Sequence, residues 1–582
     1  MIRYKLMGDN DIENPISSLL KTREISGEEL QTFFQVGQES LIDPYKLNNM
    51  LEACQTVHNN LGKKIFTLVD CDTDGFTSAA MLVNFLETEL KQEVDYYVHS
   101  DKTHGLQPEV MDKIISGGYE LVYFADAGSN DVEQCKELSE RGIKVVILDH
   151  HESCENPYAI VVNNQLSEKY SNKSFSGAGI VWKFICAYCS SYPQEVRDCA
   201  NDYLDLLALG NVADAMDMRS NETRYLILQG FKNVRNTFFK AMCTANAYSM
   251  GNKVTPMSVA WYVAPTINAV CRFGEIDDKR ELFASMLDRN ATVMVPSDKR
   301  GAKGQDELLV ERVVRHSKNV KKHQDDAVKL AQTAIDKMIE EQGLLNHKLL
   351  FVKVDEKMVK PEIAGLLANK LASKYQQPTL VGRVVDGNRI AGSGRNFGYS
   401  PVESFRETLL ETGLVEFAQG HASAFGFAIS MDKVDKLIEK MDELWENMNF
   451  TQEYPADFEL DMSEVDSDKA YRFVMMLGEV CEKGLWGNGL SEPYVVFKNV
   501  KVGAFEATLL SPNKKPTLKI EKPYCTFMKF GSNQEEANQF APSFTQSKTL
   551  DIIGTVNLNN YNNKITPQLF IKAYDMREDW NF

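Results

Sequence analysis

Three acidic residues alternate within one short segment of the chain. Asp70, Asp72 and Asp74 stand in Val-Asp-Cys-Asp-Thr-Asp-Gly, directly after the apolar run 64–69. That run predicts a buried strand, and an open α/β sheet binds its ligands at the carboxyl ends of such strands. Because three close carboxylates repel one another unless a cation neutralises them, the segment predicts a metal site.

Further candidate ligands follow three more apolar segments. They are Asp126 after residues 119–125, Asp149, His150 and His151 after residues 144–148, and Asp214 after residues 204–213. A single Asp after a strand is more often a turn former or a helix cap than a ligand, but four such segments together are hard to explain by turns alone. Oxygen ligands with a neutral imidazole suit manganese or magnesium, which indicates metal-assisted hydrolysis of a phosphate ester.

The adjacent histidines need separate roles. Strand alternation would point His150 and His151 in opposite directions, so only one of them is expected to bind a given metal directly. We assign that role to His150 and expect His151 to contact substrate or to orient a ligand. An ordinary core or rim position is the interpretation for His58, His99, His316, His323 and His347.

These segments resemble the motifs of the DHH phosphoesterases and, within that family, of the RecJ-type single-strand-specific exonucleases. The resemblance includes residues 43–50, 72–75, Asp126 with Gly128, 149–151, 209–214, 265–272, 392–395 and 420–421. It covers nearly the whole chain. Departures from the family pattern occur at Asn211, Thr266, Val270, Cys271 and Gln419, and none of them is a predicted metal ligand.

The resemblance and the order of apolar patterns together predict an α/β multidomain protein. Strands alternate with helices in the first half, and short strands separated by turn signals close the chain. The predicted domains are an N-terminal helical extension (1–50), a DHH catalytic domain with a parallel sheet (51–235), a helical connector (236–345), a smaller α/β domain of DHHA1 type (346–450) and a C-terminal β-barrel with an OB-fold (451–582).

The resemblance also implies a set of site residues. Two Mn²⁺ ions, with Mg²⁺ as the alternative, would lie about 4 Å apart and be held by Asp72, Asp74, Asp126, His150 and Asp214, with Asp126 bridging them. Asp70 and His151 are expected at the rim or outside the direct ligands. Phosphate binding is expected from Arg272, Ser393, Arg395 and His421 across a cleft between the two domains, with residues 392–395 forming a Gly-rich turn.

The implied activity is hydrolysis of single-stranded DNA from the 5′ end to mononucleotides, in recombination or repair. A cleft that admits one strand but not a duplex of roughly 20 Å would explain the single-strand requirement. No residue of the sequence can be assigned to sensing a 2′ hydroxyl, so RNA is an alternative substrate. Two alternatives remain: an oligoribonuclease or small-nucleotide phosphatase of the same family, and a non-catalytic DHH replication scaffold. The C-terminal barrel argues against the former, and the complete set of candidate ligands argues against the latter.

A net charge of −18 argues against indiscriminate binding of nucleic acid. One basic stretch stands out, and it contains Lys299, Arg300, Lys303, Arg312, Arg315, Lys318, Lys321 and Lys322. A solvated helix face is slightly favoured over a path for a phosphate backbone. In the C-terminal barrel, Tyr524, Phe527 and Tyr561 are candidates for base stacking, although aromatic residues in small barrels are more often core.

Composition predicts the location of the protein and the chemical state of its cysteines. The chain has no run of about 18 apolar residues and no apolar signal core at its start, so we expect a cytoplasmic protein that does not contact membranes. Its eleven cysteines are expected to be reduced thiols, and Cys186 with Cys189 fits a buried helix face better than a zinc site. We expect a monomer that acts on single-stranded DNA, with a single-strand-binding protein or a helicase as a conceivable partner.

Overall fold

The structure is a computed structural model, and it contains two compact units. It describes residues 2–27, 29–100, 104–302, 304–385, 387–398, 400–503, 506–511, 516–540, 546–561 and 564–580. The first unit comprises residues 20–321 and 480–492, and the second unit comprises residues 1–19, 322–479 and 493–582.

The N-terminal segment is not purely helical, contrary to the predicted extension. Strand β1 (Tyr4–Leu6) pairs in parallel with residues 454–456 of the second unit, because its extended backbone supplies one more ladder of hydrogen bonds. Helices α1 (Pro15–Thr22), α2 (Glu29–Thr32) and α3 (Met50–His58) follow. The segment 1–50 is therefore divided between the two units.

A five-stranded parallel sheet forms the centre of the first unit. Its strands are β2 (Ile65–Val69), β3 (Val94–Val98), β4 (Leu121–Ala125), β5 (Lys144–Asp149) and β6 (Ile160–Asn163), in the order β3-β2-β4-β5-β6. Every residue of β2 and β4 is buried, as expected for apolar strands covered on both faces. All five carboxyl ends therefore meet at one edge of the sheet.

Helices cover this sheet and continue beyond it. They are α4 (Thr73–Thr88), α5 (Pro108–Gly117), α6 (Val132–Glu140), α7 (Gly177–Ser191) and α8 (Leu204–Ala213). The apolar segment before Asp214 is thus a helix, unlike the strands that precede the other candidate ligands. Because α8 packs against α4, α7 and the following helix, it is apolar on almost every side.

The remainder of the first unit is mostly helical. It contains α9 (Asn221–Lys232), α10 (Thr237–Ala245), α11 (Pro256–Tyr262), α12 (Ala264–Phe273), α13 (Ile276–Ser285) and the short antiparallel pair β7 (Met294–Pro296) and β8 (Asp306–Leu308). The long helix predicted around residues 324–339 is part of α14 (Leu309–Gln342).

A second α/β sheet begins the main part of the second unit. Strands β9 (Leu350–Val354), β10 (Thr379–Val385), β11 (Arg389–Arg395), β12 (Val415–His421) and β13 (Ala424–Ser430) pair in the order β12-β13-β11-β10-β9. Helices α15 (Pro361–Tyr375), α16 (Phe405–Glu411) and α17 (Val434–Leu444) accompany them. The apolar core of this part includes Phe405, Phe425 and Trp445.

The Gly-rich turn predicted over residues 392–395 is wrong. These residues lie inside β11 and pair with β10 on one side and β13 on the other. Glycine is used there because strands approach closely: a Cβ at Gly392 would overlap the neighbouring backbone of β10. The backbone amides of this segment therefore belong to the sheet and do not form a phosphate-binding turn.

A seven-stranded mixed sheet closes the chain. After β14 (Tyr454–Ala456), its strands are β15 (Phe458–Asp461), β16 (Tyr494–Val502), β17 (Ala507–Leu510), β18 (Thr517–Glu521), β19 (Thr526–Phe530), β20 (Gln546–Tyr561) and β21 (Lys564–Trp580), in the order β15-β16-β20-β21-β19-β18-β17. Helices α18 (Ser467–Glu482) and α19 (Gln534–Phe540) interrupt them. Residues 480–492, which the predicted domain limits placed with this sheet, are in the first unit.

The cysteines and the long helices bear on two expectations from composition. All eleven cysteines lie in described segments, and each of them is a free thiol. Cys186 and Cys189 are one turn apart on α7, as the sequence predicts. None of the described helices combines the length and the apolarity that crossing a bilayer requires.

Candidate metal centre

The alternating acids begin at the carboxyl end of β2. Asp72 is the N-cap of α4, and its Oδ1 accepts hydrogen bonds from the amides of Asp74 (3.1 Å) and Gly75 (3.2 Å). This cap turns the chain from strand to helix and leaves the second carboxylate oxygen of Asp72 outside the cap. Asp70 is buried, and its Oδ1 has no hydrogen-bond partner among the described residues.

Asp74 lies against the N-terminus of α7. Its carboxylate accepts hydrogen bonds from the amides of Gly177 (2.7 Å) and Ala178 (3.1 Å), which are unsatisfied groups of that helix. Burial raises the pKa of Asp74, because it penalises the charged form. Gly210 of α8 makes room for this carboxylate, since an added Cβ would overlap Asp74 Oδ1.

Asp126 occupies a turn directly after β4. Its φ of +65° lies in the left-handed region, where Asp is tolerated better than most residues. Its amide donates to the carbonyl of Leu148 (2.9 Å), which ties the turn to β5. A Cβ at Gly177 would stand 2.6 Å from Asp126 Oδ1, so the helix can approach only because residue 177 is glycine.

His150 connects these acids to Asp214 at the end of α8. Its Nε2 lies 3.2 Å from Asp126 Oδ1, 3.4 Å from Asp214 Oδ2 and 3.9 Å from Asp74 Oδ2. Burial lowers the pKa of His150, which favours the neutral ring that a metal ligand requires.

His151 lies beside this group, and its ring contacts Asp149. Its Nδ1 lies 2.7 Å from Asp149 Oδ1, and more than half of its side chain is exposed. Burial alone would lower the pKa of His151, but its hydrogen bond to Asp149 and the charge of that carboxylate raise the pKa to about 9. His151 is therefore a cation at neutral pH.

Asp149 was among the candidate ligands that follow residues 144–148, but no role was assigned to it. It is buried, and it accepts hydrogen bonds from the amides of Ser129 (3.3 Å), His150 (2.7 Å) and His151 (3.3 Å) in addition to the His151 ring. Burial would raise the pKa of Asp149, but the bond from His151 and the nearby positive charges hold it well below its usual range. Asp149 thereby holds the backbone of both histidines and the ring of His151.

The donor set fits divalent cations. Candidate ligand atoms lie within 4.8 Å of one another in four overlapping groups, namely Asp70 with Asp72 and Asp126, Asp70 with Cys71 and His104, Asp74 with His150 and Asp214, and Asp126 with Asp149, His150 and His151. Asp126 Oδ1 and His150 Nε2 are buried without a hydrogen-bond partner among the described residues. Unsatisfied buried atoms of this kind are expected where a cation binds.

The charges of the cluster support the same interpretation. Burial and the carboxylates of Asp74, Asp72, Asp70 and Asp214 raise the pKa of Asp126 well above its usual value. Burial and the charges of Asp74 and Asp72 raise the pKa of Asp214 to about 8. These acids can all be ionised together only if positive charge is supplied, and a divalent cation is the natural source.

His104 is a neighbour of the cluster that the sequence analysis missed. It follows β3 at the same edge of the sheet, and its Nδ1 lies 2.6 Å from Asp70 Oδ2. The bond to Asp70 and a weaker one to Cys71 raise the pKa of His104 to about 11. The signal available in the sequence was its position after a strand of the same sheet, as for the other site residues.

Arg272 and its helix also reach the acidic segment. Arg272 Nη2 lies 3.5 Å from Asp72 Oδ2. On the same helix, Asn268 Oδ1 accepts hydrogen bonds from the amide (3.0 Å) and the hydroxyl (2.8 Å) of Thr73. Residues 265–272 thus bind the acidic segment through Asn268 and place the Arg272 guanidinium beside it.

The other predicted phosphate ligands, Ser393, Arg395 and His421, are in the second unit. Ser393 and Arg395 share one face of β11. His421 and Arg395 both pair with Ala424 of β13, which puts them on the same face two strands apart, about 10 Å between their Cα atoms. The structure therefore brings these three residues to one end of a sheet.

Three cations of the basic stretch form ion pairs with acidic residues. Arg312 pairs with Glu281 (2.6 Å), and Arg315 pairs with Glu307 (2.7 Å). Lys299 also pairs with Glu307 (2.8 Å), whereas Lys303 lies outside the described residues. The ion pairs favour the predicted solvated surface over a path for a phosphate backbone.

Two of the aromatic residues proposed for base stacking are core residues. Tyr524 and Phe527 are buried and contact Phe497, so the stacking role is wrong for them. The side chain of Tyr561 lies outside the described residues. The exposed ring on β19 is Phe530 instead, with 60% of its surface accessible.

Comparison with known proteins agrees with the domain content. Residues 64–211 match the DHH family, N-terminal domain, and residues 456–573 match the RecJ OB domain. Among solved structures, RecJ in complex with Mn²⁺ from Thermus thermophilus superposes with a TM-score of 0.71 at 18% sequence identity, over 100% of this chain and 80% of that chain. The predicted α/β multidomain fold is thereby confirmed.

Two relatives from Bacillus subtilis (strain 168) align over almost the whole chain. The protein named "Putative SPbeta prophage-derived single-strand DNA-specific exonuclease YorK" is 31% identical over 582 residues, which cover 98% of this chain and 97% of that protein. The protein named "Single-stranded-DNA-specific exonuclease RecJ" is 25% identical over 576 residues, which cover 96% of this chain and 67% of that protein.

Proposed function

The chain belongs to the DHH family with the domain content of its RecJ members, and from this premise we propose that it is a metal-dependent exonuclease that hydrolyses single-stranded DNA. One observation carries the proposal: the atoms of Asp74, Asp126, His150 and Asp214 converge, and two of them are buried without a hydrogen-bond partner among the described residues. A scaffold that had lost its metal would have no need to hold these carboxylates together.

The proposed ligands are those that the sequence indicated, with one change. One cation would be held by Asp74, His150 and Asp214. A second cation would face Asp70 and Asp72, and Asp126 has neighbours in both sets. Asp70 is thus closer to the metals than the rim position first assigned to it. We propose Mn²⁺ as the resident ion and Mg²⁺ as a substitute, since carboxylates with one imidazole suit both.

Bound divalent cations supply a hydroxide nucleophile near neutral pH and neutralise charge on the phosphate. The residues of the chain orient the ligands and contact the phosphate. His150 is held neutral by burial, and Asp149 orients the His151 ring. Arg272 lies beside the acidic segment, where it can bind a phosphate oxygen. His151 presents a positive charge to solvent, where it can stabilise charge that builds on the phosphate.

We propose that hydrolysis starts at a 5′ end and releases mononucleotides, as the resemblance implies. Ser393, Arg395 and His421 are proposed to bind a phosphate of the substrate, because a hydroxyl, a guanidinium and an imidazole share one face of their sheet. The protein is expected to act as a monomer. A single-strand-binding protein or a helicase is a proposed partner.

The test is digestion of single strands labelled at either end, in DNA and in RNA, with Mn²⁺ and with Mg²⁺. Release of labelled mononucleotide from the 5′ end of DNA at the earliest times would support the proposal. Digestion from the 3′ end, or digestion restricted to substrates of two to five nucleotides, would overturn it. The second result would identify a small-nucleotide phosphatase instead.

A further inference from the structure

An exposed aromatic pair lies close to the acidic segment in space. Trp261 and Tyr262 end helix α11, with 68% and 42% of their surfaces accessible. Of the five tryptophans, Trp182, Trp445 and Trp486 are buried, and Trp580 has no described side chain. Trp261 is therefore the exposed tryptophan of the part of the chain that the structure describes.

The position of this pair relative to the acidic segment is fixed by two contacts. The hydroxyl of Thr73, between Asp72 and Asp74, lies 3.5 Å from the carbonyl oxygen of Ala264. Thr266 Oγ1 donates to the carbonyl of Tyr262 (3.3 Å), which fixes the corner between α11 and α12. Trp261 is three positions before Ala264, so their Cα atoms are at most about 11 Å apart. Trp261 is thus within reach of the first few nucleotides of a strand whose end lies at the metals.

The net charge of the chain does not favour holding such a strand by phosphate contacts alone. Its net charge is −18, and several cations of its most basic stretch pair with acids. Binding through phosphates is therefore limited to a few contacts. Stacking on an aromatic ring is the other general way to hold a single strand, and it tolerates any sequence because every base has a π-face.

We propose that Trp261, with Tyr262 beside it, is a stacking surface for the bases of the single strand next to the nucleotide being released. This inference rests on the proposed function and adds a binding site to it. The indole is the larger ring, and its position in the last turn of α11, three residues before the Ala264 carbonyl that contacts Thr73, keeps its backbone close to the acidic segment. Bases of a duplex are stacked in the helix and cannot use this surface, which favours unpaired strands.

The test is binding of an oligothymidylate of about 12 nucleotides, a length within the usual range of single-strand sites, with phosphorothioate linkages that slow hydrolysis, in the presence of Mn²⁺. We expect the strand to quench the tryptophan emission of the unmodified chain, and Trp261→Phe to abolish that quenching while it retains affinity. Trp261→Ala is expected to weaken binding roughly 5- to 100-fold. Because the ring is exposed, neither change should impair folding.

Two controls make the result specific. Tyr158 is also exposed, but it precedes β6 and so lies at the opposite edge of the parallel sheet; Tyr158→Ala should leave affinity unchanged. A strand with abasic sites near its 5′ end should bind the unmodified chain more weakly, and Trp261→Ala should add little to that loss.

Unchanged affinity in Trp261→Ala, or the same loss with abasic and normal strands, would overturn the inference. A change in self-association without a change in affinity would likewise overturn it and identify a protein contact. If the unmodified chain binds this strand but does not digest the same sequence with ordinary phosphate linkages, the proposed function fails, while the quenching result still decides the role of Trp261.

Discussion

His150 Nε2 lies 3.2 Å from Asp126 Oδ1, yet neither atom has a hydrogen-bond partner among the described residues. The two atoms come from consecutive strands of the sheet and are both buried. A neutral imidazole and a carboxylate that face each other without a hydrogen bond are best satisfied by a cation between or beside them. Both residues of this pair would therefore be ligands in the proposed two-metal site.

Replacement of Asp126 should therefore remove hydrolysis. Asp126→Asn keeps the size of the side chain but removes the charge that Asp126 brings to both proposed cations. We expect turnover with Mn²⁺ to fall by more than about 100-fold, the upper end of the effect of losing an indirect metal partner. Binding of single strands should be largely retained, as measured by fluorescence anisotropy.

The matched control for this variant is Glu120→Gln. Glu120 immediately precedes β4 at the opposite end from Asp126, and it pairs with Lys63 (3.3 Å) at the surface. Its loss should leave turnover within experimental error. Substantial turnover in Asp126→Asn with Mn²⁺ would contradict the bridging role.

Metal binding should depend steeply on pH. The pKa of Asp214 rises from 3.8 to about 8 on burial beside Asp74 and Asp72, so folding of the metal-free chain is penalised progressively as the pH rises through that interval. Mn²⁺ replaces the bound proton, so the increase in Tm that Mn²⁺ produces should be larger at about pH 8 than at about pH 6. Differential scanning calorimetry measures this shift.

Asp214→Asn is the control for the pH effect, because an amide does not titrate. In that variant the Mn²⁺-induced shift in Tm should be smaller and should vary less with pH. Equal shifts at both pH values in the unmodified chain would show that the acids of the cluster are already ionised without metal.

His104 should act on the metals through Asp70. Its ring holds Asp70 Oδ2 at 2.6 Å and leaves Asp70 Oδ1 directed at the cluster. His104→Asn should weaken Mn²⁺ binding roughly 10- to 100-fold, as expected for a residue that orients a ligand. Isothermal titration with Mn²⁺ measures this, and His316→Asn on α14 should have no effect. An unchanged affinity in His104→Asn would mean that the contact with Asp70 is only structural.

The Gly210→Ala substitution tests whether close packing between α8 and α4 positions the Asp74 carboxylate. In an ordinary helix, Gly→Ala stabilises by about 1 kcal/mol. At Gly210 the added Cβ would overlap Asp74 Oδ1 and stand 2.6 Å from Ala178 Cβ, and overpacking of this kind costs about 1–3 kcal/mol. We expect Gly210→Ala to lower both Tm and Mn²⁺ affinity, whereas Gly398→Ala, which meets open space, should not. A gain in stability for Gly210→Ala would show that the helix can shift.

Much of the site was predictable because strand ends of a parallel sheet meet at one edge. The apolar runs before Asp70, Asp126 and His150 are continuous, and each proved to be a strand of the same sheet. Asp214 was predicted from its apolar segment, although the segment is a helix. Such a run is ambiguous, since a helix buried on every side lacks the periodicity that distinguishes it from a buried strand.

Other features depend on contacts that the sequence does not display. His104 follows β3, and its contact with Asp70 depends on the pairing of β3 with β2 in the sheet. Residues 392–395 suggested a turn because Gly is common in turns, but here Gly permits close approach of strands. Tyr524 and Phe527 follow the general rule that aromatic residues in small β domains are core.

The Arg395→Ala substitution tests the proposed phosphate contact in the second unit. Its guanidinium shares a face of β11 with Ser393, and His421 lies two strands away on the same side. Arg395→Ala should raise KM for short single strands roughly 10-fold or more, because a charge-assisted contact with phosphate is worth about 1.5–3 kcal/mol. Arg389→Ala is the matched control, since Arg389 is at the other end of the same strand and pairs with Glu416 (2.7 Å). Identical kinetics for Arg395→Ala and Arg389→Ala would remove Arg395 from the substrate site and leave binding of the phosphate to the residues around the metals.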